Sequence, residues 1–220
     1  MMTVIKPFLK AFKTTMAYSM YIVEHFPSQT SVVMQGAGSV KKLPALIKAQ
    51  GIRKPLVVTD SVLMQLNLLK GLFESFDAIN MPYAVYDGVQ PNPSIDNIED
   101  AYALYRKEGC DAFVGFGGGS SMDCAKVAAA RAAKPELTTD RLGGYFKVML
   151  PIPKKLPRIF AVPTTAGTGA EATSAAVVTD PKKNIKYTVN DFLLHPHFIV
   201  LDAELTLGLP PSITAITAID

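Results

Sequence analysis

Short runs rich in β-branched and aromatic residues recur along the chain, and stretches with apolar positions every three or four residues lie between them. The runs SVVMQG (31–36), KPLVVTD (54–60), YAVYDGV (83–89), DAFVGFGG (111–118), RIFAVPTT (158–165) and HFIVLD (197–202) predict strands, several of them apolar enough to be buried on both faces. SVLMQLNLLKGLFESF (61–76), SIDNIEDAYALYRKEG (94–109) and SMDCAKVAAARAA (121–133) predict helices, the second stopped by Gly109 as a C-cap. TSAAVVTDPKKNIKYTV (173–189) breaks the rhythm, because two alternating segments around Asp180-Pro181 predict a hairpin beside the sheet. The closing PPSITAITAID (210–220) predicts the first turns of a helix, with neither a Gly or Asn C-cap nor a basic last turn. The alternation as a whole predicts an α/β fold, a Rossmann-like, mostly parallel sheet with helices on both faces. Ligands of such sheets bind beyond the carboxyl ends of the strands, which directs attention to the residues that follow each strand.

Composition narrows the class. At 220 residues the chain exceeds a common single-domain size, so one α/β domain and part of a second are expected. Basic residues number 22 against 19 acidic ones, and no face or block concentrates them, so no nucleic-acid partner is expected. The densest basic stretch, KVMLPIPKKLPR (147–158), reads as a solvated loop. Cys110 and Cys124 form no C-x-x-C pair; they read as small core residues and point to a reducing, cytoplasmic setting. No apolar run reaches the length of a membrane span. Residues 1–23 lack acids and carry Lys6, Lys10 and Lys13 on an amphipathic pattern, which predicts an N-terminal helical arm, with a transit peptide as the other reading.

The chemistry concentrates in two stretches. In GFGGGSSMDCAK (115–126) a strand ends in three glycines and a helix starts at once, so bare N–H groups face outward where the macrodipole favours an anion. A capping box between Ser120 and Asp123 would account for those two residues without a ligand, but not for Gly117, Gly118 and Gly119. The spacing G-x-G-x-x-S is not the standard dinucleotide fingerprint, no Lys-Ser/Thr pair follows as in a P-loop, and the acid Asp60 lies upstream of the glycines rather than downstream. In AVPTTAGTGAEATSAAV (161–177), the hydroxyls of Thr164, Thr165 and Thr168 alternate with Gly167 and Gly169, a pattern able to wrap a phosphate or a carboxamide. A tight polar turn is the plainer reading of that stretch.

GGGSSMDCAK, PTTAGTGAEAT and LDAELTLGLPPSITAITAID, in that order, resemble the iron-containing (group III) alcohol dehydrogenases of the dehydroquinate synthase-like superfamily, from residue 31 to the end. The resemblance implies an arm over 1–30, an NAD(P)-binding α/β domain over 31–205, and the start of a truncated helical metal-binding domain over 206–220. It implies an adenosine-ribose contact by Asp60, which favours NAD over NADP, and a cofactor-side role for Asn92. Gly118, Gly119 and Ser120 match the pyrophosphate cradle, with Asp123 in its first turn. Thr164, Thr165, Thr168 and Thr173 match the loop over the nicotinamide half, and Lys186 matches a lysine near the cofactor. Asp220 matches the Asp of an Asp-and-three-His set for Fe2+, whose other members do not follow; His25, His195 and His197 do not replace them. The implied substrate is a small alcohol or aldehyde, exchanged by hydride transfer. Two alternatives stay open at this stage, a nucleotide-binding fragment without activity and a sister enzyme such as glycerol dehydrogenase or dehydroquinate synthase; self-association into a homo-oligomer through a bare cleft face is a separate expectation.

Overall fold

The computed structural model describes residues 30–149, 153 and 155–219. The elements run β1 (Val32–Gln35), α1 (Leu43–Ala49), β2 (Pro55–Val58), α2 (Ser61–Gln65), α3 (Lys70–Ala78), β3 (Ala84–Tyr86), α4 (Ile95–Lys107), β4 (Ala112–Gly117) and α5 (Gly119–Ala133). They continue with β5 (Gly144–Tyr145), β6 (Arg158–Pro163), β7 (Ala175–Asp180), β8 (Ile185–Asn190), β9 (Phe198–Leu201), α6 (Glu204–Leu207) and α7 (Pro211–Ile219). Six strands form one sheet in the order β1-β9-β6-β4-β2-β3, every pairing parallel. The expected hairpin is present as antiparallel β7 and β8, joined by the two-residue β5 into a small second sheet.

The apolar strand runs are buried on both faces because each face carries its own core. In β2, Leu56 and Val58 enter the cluster formed with α4, α5 and the hairpin, while Val57 between them enters the cluster on the side of α1 and α3. All six residues of β4 are buried. Gly115 lies in its middle because α5 comes too close for a side chain: a Cβ there would stand 3.0 Å from the Cα of Met122. Cys110 and Cys124 are buried free thiols, as small core residues should be.

The structure departs from the sequence reading at two places outside the ligand edge. The helix expected over 61–76 is two helices, because Asn67 adopts a left-handed conformation (φ 55°), which an Asn tolerates and which ends α2. The loop expected to be solvated over 147–158 begins inside: Val148 and Met149 are buried, and both of their N–H groups donate to Oδ2 of Asp191. Leu150, Pro151, Ile152 and Lys154 lie outside the described residues, as do residues 1–29 of the arm expected over 1–30. Gly109 does follow the end of α4 in a left-handed conformation (φ 63°). Among the described residues no helix is long and apolar enough to cross a membrane.

Candidate functional site

Strand β2 leads outward to β3, whereas β4 leads the opposite way to β6, so a crevice opens between the carboxyl ends of β2 and β4. A hollow of about 420 Å3 occupies it, lined by Asp60, Val62, Leu66, Gly118, Gly119, Ser120, Thr164, Thr165, Leu209 and Pro210 among others. A second hollow of about 400 Å3 lies on the far side of the same glycine turn, sharing Gly119 and Ser120 and bounded by Asn92, Asp123, Thr168, Thr173 and Val177. Of the cofactor-side residues implied by the resemblance, all line one hollow or the other except Lys186, whose Nζ donates to Oδ1 of Asn92 at 2.6 Å.

The turn from β4 into α5 depends on its glycines. Gly117 has φ 143°, and a Cβ on it would lie 2.7 Å from the Ser121 hydroxyl. Gly118 is the N-cap, in extended conformation and with no side chain capping the helix. The capping box expected between Ser120 and Asp123 is therefore not formed: the helix begins two residues earlier than that pattern assumes, which carries both side chains out of capping reach. Instead Ser120 Oγ accepts from the Asn92 N–H at 3.2 Å, and Asp123 Oδ2 accepts from the Val177 N–H at 2.9 Å. The first N–H groups of α5 thus face the hollows without a side-chain acceptor, at the positive end of a 15-residue helix. Burial pushes the Asp123 carboxyl above its ordinary range, and the Val177 N–H and nearby Lys126 partly offset that.

The threonine loop closes against this turn. The Thr164 N–H donates to the Gly117 carbonyl at 3.0 Å. Cβ atoms on Gly118 and Gly119 would stand 3.4 Å from Thr165 and Thr168 respectively, so the glycines also let the loop approach. Thr165 Oγ1 is buried at the wall of the first hollow with no hydrogen-bond partner among the described residues. Thr173 Oγ1 accepts from Lys126 Nζ at 3.1 Å.

Asp60 caps α2, its Oδ1 accepting from the Leu63 N–H at 2.9 Å. Asn92 does not cap α4; Ser94 and Asn97 form that helix's capping box. Asn92 adopts φ 58° and is held at the second hollow by its bonds to Ser120 and Lys186.

Lys126 escaped the sequence reading: it is fully buried in α5, and its only signal was its place, with Arg131, among the apolar positions of CAKVAAARAA. The apolar wall of Val62, Leu66, Leu209 and Pro210 was equally invisible, because it joins segments far apart in the chain.

His195 and His197 precede β9, and neither lines a hollow. His195 Nε2 is 2.9 Å from the Ser31 hydroxyl, and His197 Nδ1 accepts from the Ile159 N–H at 3.2 Å. Among the described residues no group of three or more His, Cys, Asp or Glu could hold a metal ion. Asp220, the ligand implied by the resemblance, and His25 lie outside the described residues.

A family model described as iron-containing alcohol dehydrogenase matches residues 30–203. Choline dehydrogenase of Bacillus subtilis (strain 168) is 33% identical over 190 residues, which are 86% of this chain and 47% of that protein. Lactaldehyde reductase of Escherichia coli (strain K12) is 34% identical over 185 residues, 84% of this chain and 48% of its own length. The crystal structure of sulfoacetaldehyde reductase from Bifidobacterium kashiwanohense in complex with NAD+ superimposes with a TM-score of 0.79 at 29% identity, over 87% of this chain and 50% of that one. The chain thus spans about half the length of the relatives it matches.

Proposed function

Because the chain belongs to the iron-containing alcohol dehydrogenase family, we propose that its two hollows hold one NAD molecule, bent over the first turn of α5. The observation that carries this reading is the glycine N-terminus without a side-chain cap, lying between the two hollows and beside the partnerless hydroxyl of Thr165. Gly118, Gly119 and Ser120 would receive the pyrophosphate on backbone N–H groups, and Thr165 Oγ1 would gain the partner it lacks. The adenosine half would occupy the larger hollow, its adenine against Val62, Leu66 and Pro210 and its ribose hydroxyls near Asp60. A carboxylate there accepts from a 2′-hydroxyl and repels a 2′-phosphate, which favours NAD over NADP. The nicotinamide half would lie in the second hollow, against Thr168, Thr173 and Asn92, with Lys186 and Asp123 fixing Asn92 and β7 around it, while Thr164 lines the first hollow beside Thr165.

When bound, NAD supplies or takes up the hydride at its nicotinamide ring. The whole enzyme would interconvert a small alcohol and its aldehyde or ketone, as the names of the relatives do for their own substrates. Iron belongs to the family's description, but the described residues supply no set that fits the ion.

Titrating the 220-residue chain with NADH and following cofactor fluorescence tests this reading. Saturable binding competed by AMP, and at least about tenfold weaker binding of NADPH, are expected, since one uncompensated charge contact is worth a decade or more. Failure of NADH to bind overturns it.

A further inference from the structure

Lys126 is fully buried, and that is costly for a lysine. Methionine would fill a similar volume at lower cost, so the ammonium group itself calls for an explanation. Nζ donates to the carbonyl of Ala170, to the carbonyl of Thr173 at 2.8 Å, to the Thr173 hydroxyl at 3.1 Å and to the carbonyl of Ala175 at 3.1 Å. Between Ala170 and Ala175 the chain makes only a three-residue turn and then irregular backbone before β7, so its carbonyls have no regular ladder to satisfy them. Three N–H donors from a single point gather this segment as no backbone element could. One helical turn earlier on α5, Asp123 takes the Val177 N–H, so the helix grips the next two residues of the same chain as well.

We propose that Lys126 is a positioning residue for the nicotinamide-side hollow, binding the Ala170–Ala175 segment to α5 so that Thr168 and Thr173 stand at a fixed distance from the glycine turn. This rests on the cofactor reading above. The adenosine-side hollow owes nothing to the segment, since Asp60, Val62, Leu66 and Pro210 come from elsewhere. Lys126 therefore has a one-sided signature, which a general contribution to stability would not have.

Three titratable groups face the amine: Asp123 from its own helix, Glu171 from the turn it binds, and His195 from the segment before β9. Burial holds the amine down to about 8 against the pull of the two carboxylates, and His195 is itself lowered and so neutral above pH 7.

The test compares AMP, which reads only the adenosine side, with NADH, which reads both, in the wild-type chain and in Lys126→Met. The expected result is AMP affinity within about twofold of wild type and NADH affinity at least about tenfold lower, the scale of a charge-assisted hydrogen bond lost. An unchanged NADH-to-AMP ratio overturns the proposal, as does an equal loss for both ligands, which would mark the residue as structural only. If Lys126→Met does not fold, the wild-type ratio measured from pH 7 to 9 decides: a fall as the amine loses its charge supports the proposal, and a flat ratio refutes it. Wild-type chain that binds neither ligand brings down the cofactor reading and this one together, whereas binding of both with an unmoved ratio removes only the role of Lys126.

Discussion

His197 shows how a single side chain that lines neither hollow sets a pH limit on the fold. Its Nδ1 accepts from the Ile159 N–H at the start of β6, a bond that only the neutral ring can make. Burial first, then the charges of Arg158 and His195, push the ring down to about 4. The unfolded chain takes up its proton near pH 6.5, so between about 6.5 and 4 the unfolded state binds more protons and stability falls as pH falls. At roughly 1.4 kcal/mol per unit, discounted for partial exposure, the loss should approach about 2 kcal/mol near pH 4. Urea unfolding at pH 7 and pH 4.5 measures it, and His197→Asn, which keeps an acceptor but cannot titrate, should show a flatter dependence than wild type. The two histidines also illustrate what residue identity conceals: as candidate ligands they look alike in sequence, and the fold gives them different partners, the Ser31 hydroxyl for His195 and the Ile159 N–H for His197, with neither lining a hollow.

At the scale of elements, α5 is the piece on which both hollows depend. It packs across β4 at Gly115, opens at Gly117 and Gly118, and carries Ser120, Asp123 and Lys126 to three different segments of the chain. Gly115→Ala should lift this helix from the sheet, because the new methyl meets backbone at Met122 rather than a side chain that can turn aside. A cost of about 1–3 kcal/mol is expected for such overpacking. The urea midpoint measures that cost, and NADH affinity should drop with it because the helix N-terminus moves; full affinity in a destabilised variant would show that the turn is held by its loops instead. The sequence announced α5 through three glycines before a helical pattern, but placed its start two residues late. Ser120 and Asp123 are good capping residues locally, and only the packing of β4 against β6 and α5 decides that Gly118 begins the helix.

For the molecule as a whole, a ligand that binds only the folded state must raise its stability by mass action. NADH at a hundred times its dissociation constant should add about 2.7 kcal/mol, which for a domain of this size corresponds to roughly 5–10 °C in Tm. A thermal scan with and without NADH checks this, and no shift at saturation would contradict specific binding to the native fold. The parallel sheet, the hairpin and the family were legible without coordinates. Strand burial and helix periodicity are local properties of the chain, and the glycine and threonine stretches carry their spacing with them. The sequence by itself determined which residues stand at the carboxyl ends of the strands. Only the tertiary structure decided that they form two hollows sharing one turn, that Asn92 and Lys186 meet across 94 positions of chain, and that a buried lysine binds the threonine segment to α5. Those are contacts between distant segments, fixed by which strands become neighbours in the sheet, and no periodicity along the chain encodes them.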